Sequence, residues 1–319
     1  MNESAIDLTV VIPFLNEEES LGELHHRLAA VLAESELSFE LLFIDDGSSD
    51  SSYSIVQNLR QQDAHVRLIS FRRNQGKSAA LEVGFSQARG KMVVTMDADL
   101  QDDPAEIPHL IAKLDEGFDL VSGWKQVRHD PITKTLPSKI FNRVTGMLSG
   151  IRLHDFNCGL KIYRREVTQE LNVYGERHRF MPVLAHMQGF RVGELPVKHH
   201  PRLYGKTKFG AYRFLAGFFD LITLLFRMKF VTKPLHFFGS LGSLSLLGGL
   251  GIITYLSYGW FQGRWIGNRP ILLIGVLGVV TGVQLFTLGL LGEMIAEKST
   301  RSHPPLRPDS DTIDQADVR

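Results

Sequence analysis

The 319-residue chain is 44% hydrophobic and 22% charged, enough apolar sequence for a sizeable core in one large or two modest domains, which excludes a disordered or fibrous protein. A formal net charge of +0 gives no electrostatic reason to bind nucleic acid, and that class is set aside. One cysteine, Cys158, excludes an internal disulfide and a repeated thiol cluster for zinc or iron–sulfur, in keeping with a reducing, cytosol-facing location.

The start, Met1-Asn2-Glu3-Ser4, lacks the basic-then-apolar pattern of a secretory signal, so the first part of the chain is expected to stay cytosolic. Residues 8–14, Leu-Thr-Val-Val-Ile-Pro-Phe, predict a strand buried on both faces, followed by polar Asn16-Glu17-Glu18-Glu19. Leu21, Leu24, Leu28, Val31 and Leu32 stand at helical spacing within 20–33. Phe39 to Ile44 then predicts a second strand, ending in Asp45-Asp46-Gly47-Ser48-Ser49-Asp50. The alternation continues through a short helix over Ile55 to Leu59, a strand over Val66 to Phe71, a helix over Lys77 to Ala88 and a strand over Lys91 to Met96. Such β and α units with short links imply an α/β fold, a mostly parallel sheet with helices on both faces.

The strand over Lys91 to Met96 stops in Asp97-Ala98-Asp99-Leu100-Gln101. In an extended chain Asp97, Asp99 and Gln101 point one way while Ala98 and Leu100 point into the protein. Hard oxygen groups so placed suit Mg²⁺ or Mn²⁺, which take their remaining ligands from waters and a substrate's phosphates. Asp-x-Asp alone is an ordinary acidic turn. Its weight comes from the other polar endings, Asn16-Glu17-Glu18 and Asp45-Asp46, because ligands of parallel sheets sit outside the carboxyl ends of the strands.

Beyond Pro104, which suits a helix first turn, Ile107 to Leu114 predicts a helix and Phe118 to Ser122 a fifth strand. Gly123 to Pro137 reads as a basic loop with Lys125, Arg128 and Lys134. Ile140, Val144 and Leu148 have helical spacing, and His154-Asp155-Phe156-Asn157-Cys158-Gly159 precedes a strand over Leu160 to Tyr163. A helix over 180–188 and a strand over Arg191 to Val197 follow, then the basic, turn-rich segment from Pro201 to Lys208. The adjacent pair His199-His200 lacks a nearby carboxylate in the sequence and is expected to be a surface pair.

Phe209 to Lys229 is apolar but interrupted by Arg213, Asp220, Arg227 and Lys229. It fits helices in a bilayer interface over 209–233, with a buried helix of the soluble domain as the alternative. Leu235 to Tyr258 and Ile271 to Gly292 are each long and apolar enough to span a bilayer, and Trp260 and Trp265 lie between them as interface anchors. Lys229 and Lys233 before the first span, with Lys298 and Arg301 after the second, agree with both termini in the cytosol. The expected organisation is therefore a cytosolic domain over 1–208, interface helices over 209–233, two spans within 234–295 and a disordered tail over 296–319. Gly278 to Gly282 gives a small-xxx-small face for packing helices, within one subunit or in a homo-oligomer.

Gln75-Gly76-Lys77-Ser78 resembles the end of a P-loop but has Phe71 where that motif needs glycine, so a P-loop is rejected. A helix starting near Gly76 still offers backbone N–H groups and the Lys77 charge to the same rim. Val10-Val11-Ile12-Pro13 with Asn16-Glu17-Glu18, Ile44-Asp45-Asp46-Gly47-Ser48, Asn74-Gln75-Gly76-Lys77 and Asp97 to Asp102 together resemble inverting family 2 glycosyltransferases of GT-A fold. More narrowly, the chain is similar to polyprenyl-phosphate glycosyltransferases of the dolichyl-phosphate mannose synthase group, over residues 6 to 295.

That resemblance implies a nucleotide-sugar donor, UDP-glucose being favoured although a GDP donor is not excluded, and a polyprenyl phosphate acceptor at a plasma or inner membrane. It carries donor contacts onto Pro13, Asn16, Glu18, Asp45, Asp46, Lys77, Asp97, Ala98 and Asp99, and metal contacts onto Asp97, Asp99 and Gln101. Lys125, Lys139, Arg202 and Lys206 fall where the family grips phosphate, the first two being lysine where arginine is frequent. Asp155 resembles the position of a base or acceptor-orienting acid, and Asp99 joins it as a catalytic candidate. A phosphate monoester has a second pKa near 6, so the acceptor is already largely ionised and Asp155 has little to deprotonate. Two rivals share the fold. A processive polysaccharide synthase needs Gln-x-x-Arg-Trp on the cytosolic side, and Gln262-Gly263-Arg264-Trp265 is one residue short and between the spans. An inactive membrane scaffold is opposed by the intact Asp97, Asp99 and Gln101.

Overall fold

The computed structural model describes residues 6–126, 142, 145–147, 149–171, 177–201, 234–265 and 270–299. The chain forms two units, Met1–Leu221 and Ile222–Arg319. In the first unit the strands are β1 (Leu8–Phe14), β2 (Phe39–Asp45), β3 (Val66–Ser70), β4 (Met92–Thr95), β5 (Leu120–Lys125), β6 (Lys161–Arg164) and β7 (Val192–Val197). The helices are α1 (Leu21–Ala33), α2 (Ser52–Gln62), α3 (Lys77–Gln87), α4 (Ile107–Asp115), α5 (Arg165–Glu170) and α6 (Met181–Met187).

The strands join in one sheet, ordered β3-β2-β1-β4-β6-β5-β7. All neighbours are parallel except β6, which runs antiparallel to both β4 and β5. The reversal brings the start of β6 beside the end of β4, with Thr95 opposite Lys161. Two apolar layers explain the continuous hydrophobic runs of β1 and β2. Val10, Ile12, Leu41 and Phe43 pack on one face against Leu24 and Leu28 of α1 and Leu110 of α4. Val11, Leu42 and Ile44 pack on the other against Leu81 and Phe85 of α3 and Ala185 of α6.

Helix α3 lies close against the sheet at Gly84, where a β-carbon would fall 2.3 Å from Val11 Cγ1. That approach holds the helix start, Gly76 and Lys77, near the ends of β1 and β4. β5 is longer than the predicted strand: Gly123, Trp124 and Lys125, expected in a loop, pair with Leu195, Pro196 and Val197 of β7. Pairing with β7 supplies the ladder that short-range pattern does not reveal. The expected helix positions Ile140, Val144 and Leu148, the segment 209–233 and the tail from residue 300 lie outside the described residues.

The second unit contains α7 (Pro234–Phe261) and α8 (Pro270–Ser299), 28 and 30 residues long. At 1.5 Å per residue they extend about 42 and about 45 Å, against a hydrocarbon thickness of about 30 Å. Both are long and apolar enough to cross a membrane. Leu244, Leu247, Leu273 and Leu277 face outward, a surface suited to lipid. The facing surfaces are glycine-rich. A β-carbon on Gly249 would lie 2.6 Å from Val279 N, and one on Gly282 2.6 Å from Leu246 N. Ser245 Oγ donates to the Gly278 carbonyl at 2.9 Å. The small-residue face of 278–282 is therefore used within the chain, for van der Waals approach of its own two helices.

Replacing Gly84 by valine forces α3 away from Val11 and is expected to cost about 1–3 kcal/mol. Thermal unfolding of the full chain in detergent measures this, and an unchanged midpoint contradicts the proposed seat.

Candidate active site

The ends of β1 and β2 are tied into one rim. Asn16 takes a left-handed backbone (φ 53°). The Ser48 hydroxyl oxygen accepts its N–H at 3.0 Å, and its own side-chain oxygen accepts the Ser49 N–H at 2.8 Å. The Glu18 carboxylate accepts from the Ser51 N–H at 2.9 Å. Both predicted donor residues thus brace the loop after β2. Asp45 is buried and receives the Ser48 N–H and the Ser70 hydroxyl, each at 2.8 Å. Asp46 accepts Gln75 N–H at 2.7 Å and Gly76 N–H at 3.0 Å, fastening the 74–76 turn to the end of β2. Burial pushes the Asp46 carboxyl up, against the lowering effect of those N–H donors. Gly47 (φ 77°) has no alternative: a β-carbon there would stand 2.7 Å from the Arg73 carbonyl carbon.

From the 74–76 turn the chain enters α3 with Gly76 at φ 91°, and Lys77 Nζ pairs with Asp97 Oδ1. The two side chains are 35% and 32% exposed, accessible to a ligand. The ladder of β4 ends at Thr95, and Ala98-Asp99 forms a turn instead of continuing the strand. The expected alternation nonetheless holds: Ala98 and Leu100 are buried in the core while Asp97, Asp99 and Gln101 stay partly open. Leu100 pays for its place with a left-handed backbone (φ 60°). That costs roughly 1–2 kcal/mol, and full burial of a leucine offsets it at about 1.5–3 kcal/mol. Asp99 Oδ1 accepts the Gln101 N–H at 3.2 Å, and Gln101 Nε2 lies 3.5 Å from both His199 Nε2 and the His200 carbonyl.

The loop before β6 closes the site. Gly159 sits where a β-carbon would be 2.6 Å from Asp97 Oδ2 and 2.9 Å from Asp102 Oδ2. Asp102 is buried, 3.3 Å from Lys125 Nζ and 3.8 Å from His199 Nδ1. Burial alone would raise its pKa. The Lys125 charge, with the His199 ring beside it, instead holds it well below the usual carboxylate range, and Asp102 in turn holds Lys125 above the usual ammonium range against its own burial. The Lys125 charge, expected to grip phosphate, is thus paired with Asp102. His199, expected at the surface, has a 5% exposed side chain because an isolated β-bridge joins it to Asp102; His200 remains 42% exposed and pairs with Asp103 at 3.0 Å.

Asp155 is buried, and its Oδ1 accepts the Asn157 N–H at 3.0 Å, holding the 155–157 turn. Lys139, Arg202 and Lys206 lie outside the described residues. Three side chains not singled out from the sequence line the same cavity as Pro13, Lys77 and Asp97: Asn157, Lys161 and His178. Ser78 Oγ is 2.9 Å from His178 Nδ1, across 100 residues of sequence. Lys161 is buried, its Nζ donating to the Cys158 carbonyl, and burial lowers its pKa. A lysine directly after the turn Asn157-Cys158-Gly159-Leu160, at the start of β6, is the available signal. Burial also pushes the Cys158 thiol up to about 12, which makes it a packing group and not a nucleophile.

Among the described residues no three His, Cys, Asp or Glu side chains form a metal cluster. Asp97, Asp99 and Gln101, the expected metal contacts, stay partly exposed after β4 and offer carboxylate and amide oxygens, the hard donors that suit Mg²⁺ or Mn²⁺.

This chain belongs to glycosyl transferase family 2, whose family model matches residues 9–171. It is 38% identical over 299 residues to the dodecaprenyl-phosphate galacturonate synthase of Rhizobium johnstonii, covering 92% of this chain and 88% of that one. It is equally 38% identical over 294 residues to the undecaprenyl-phosphate 4-deoxy-4-formamido-L-arabinose transferase of Salmonella enteritidis PT4, covering 90% and 88%. Among solved structures, the glucosyl-3-phosphoglycerate synthase of Mycobacterium tuberculosis with Mn²⁺, UDP and phosphoglyceric acid superposes with a TM-score of 0.54. It is 19% identical and covers 70% of this chain and 78% of that one, a likeness of fold. The sheet unit is of GT-A type, as the motif order implied.

Asp102→Asn leaves the Lys125 ammonium without its carboxylate in a nearly closed site. The expected loss is about 3–5 kcal/mol of folding stability, with most of it recovered in Asp102→Asn/Lys125→Met. Denaturant unfolding of the full chain measures both, and a single-variant loss below about 1 kcal/mol, the scale of a surface pair, contradicts the assignment.

Proposed function

We propose that the protein transfers a sugar from a UDP-sugar to a polyprenyl phosphate with inversion at C1. The observation that carries this reading is the rim formed by Asp97, Lys77 and the 157–159 turn at the strand ends, in a chain that also holds two helices able to cross a bilayer. The relatives' names support the acceptor class. An oxygen of the lipid phosphate attacks C1, the bond from C1 to the β-phosphate oxygen breaks, and UDP leaves from the opposite face. Asp45 and Asp46 hold the nucleoside end of the rim through the loops they fasten. Lys77 stands where the diphosphate charge develops. A bound divalent cation, Mg²⁺ or Mn²⁺, supplies charge neutralisation to the departing diphosphate, with Asp97, Asp99 and Gln101 as the residues that would hold it. Asp155 acts by holding the acceptor-side turn, since the phosphate needs no strong base. The catalytic unit and both termini face the cytosol in this reading.

The glucose expected from the sequence draws no support from the relatives, whose names carry galacturonate and formamido-arabinose. A carboxylate-bearing donor sugar is a second reading favoured by Lys161. Its buried Nζ lines the cavity and donates to the Cys158 carbonyl, and a donor carboxylate brought beside it would favour its charged form against the lowering by burial.

Purified full-length protein with labelled UDP-glucose, UDP-galacturonate or a UDP-4-formamido-arabinose, Mn²⁺ or Mg²⁺, and polyprenyl phosphate is expected to give a chloroform-soluble, mild-acid-labile product with at least one donor. Long polymer, or no lipid product with any donor, overturns the assignment. Preference for the uronate donor that falls about tenfold in Lys161→Met, a loss of roughly 1.4 kcal/mol of discrimination, supports the second reading; unchanged preference removes it.

A further inference from the structure

The Lys77–Asp97 pair occupies the carboxylate that a cation needs. Lys77 Nζ sits on Asp97 Oδ1, while Asp97 Oδ2 is turned toward Gly159. Both partners are about one-third exposed, so the pair is weak and exchangeable, unlike the buried Asp102–Lys125 pair beside it. With no group of three His, Cys, Asp or Glu side chains among the described residues, the protein alone offers a poor cation site, and the lysine charge makes it poorer. A diphosphate alters both conditions at once. It gives Lys77 a stronger anionic partner at the first turn of α3, where backbone N–H groups also point outward, and it brings phosphate oxygens to complete a cation's shell.

We propose that Lys77 holds the cation's place on Asp97 in the unliganded protein and moves onto the donor's diphosphate when it arrives, so that cation and donor bind as a coupled pair. This rests on the UDP-sugar reading above, and it adds an order to that site: cation alone is excluded, cation with nucleotide is admitted. The device has a plain chemical use. A bare cation on Asp97 would attract any phosphate compound, whereas the lysine delays that charge until a diphosphate displaces it.

The test is Mn²⁺ binding to the full-length protein in detergent, followed by electron paramagnetic resonance and calorimetry, with and without UDP. Wild type is expected to bind Mn²⁺ weakly alone and at least about tenfold more tightly with saturating UDP, a coupling that must be reciprocal. Lys77→Met is expected to bind Mn²⁺ alone about tenfold more tightly than wild type and to lose most of the coupling. Lys77→Arg, which restores a cation, should return Mn²⁺ binding toward the wild-type pattern and guards against a folding artefact. Unchanged or weaker Mn²⁺ binding by Lys77→Met without UDP overturns the placeholder role while leaving the donor reading intact. Absence of UDP binding to wild type under any metal condition overturns both.

Discussion

Asp97 and Asp102 both crowd the same glycine, and a β-carbon on Gly159 would stand within 2.9 Å of an oxygen of each. Two carboxylates this close to one backbone require compensation, and each has its own lysine: Lys77 on Asp97, Lys125 on Asp102. The rest of the catalytic unit can be understood as the means of delivering these groups. β4 brings Asp97, the reversed β6 brings Gly159, β5 brings Lys125, and α3, seated on Val11 through Gly84, brings Lys77. No single loop carries the site. Its geometry depends on sheet order, which is why the packed layers on both faces matter to the chemistry.

Much of that delivery was legible in the sequence, because it is local. Apolar runs stop in polar clusters, helical spacing fills the gaps between them, and each cluster then falls at a strand's carboxyl end. Asp45, Asp46 and Asp97 were identified on this basis and do meet at one rim. The illegible part is non-local. The antiparallel direction of β6 is set by pairing with two strands far away in sequence, and local pattern reads Lys125 as loop because the strand that extends it, β7, begins 67 residues later at Val192. His199 looks like a surface residue in the sequence since its carboxylate, Asp102, is 97 positions away. Asn16 and Glu18, expected among the donor contacts, also have a part that sequence does not show: each gives one oxygen to an N–H of the loop after β2.

The helical hairpin follows different rules. Apolar side chains offer lipid and neighbouring helix alike, so α7 and α8 hold together through close backbone approach at Gly242, Gly249, Gly278 and Gly282. On sequence grounds Gly278 and Gly282 suit either internal packing or association with another copy. Close contact within the chain satisfies them, and the leucines left outward are the ones a bilayer covers.

The two lysine–aspartate pairs differ in burial, and burial decides what each is for. Lys125 and Asp102 are 16% and 1% exposed, so separating them would strand a charge in a medium that solvates it poorly; the pair behaves as a fixed part of the scaffold. Lys77 and Asp97 are 35% and 32% exposed, so water compensates either partner when the other leaves. Only the second pair can exchange partners at small cost. A site that must accept a highly charged diphosphate, stabilise it as a leaving group and then release it needs one pair of each kind. The buried pair keeps the rim in shape while the open pair changes hands. Glycine at 159 is what allows both to stand side by side, since any larger residue would displace an oxygen of Asp97 and of Asp102 together.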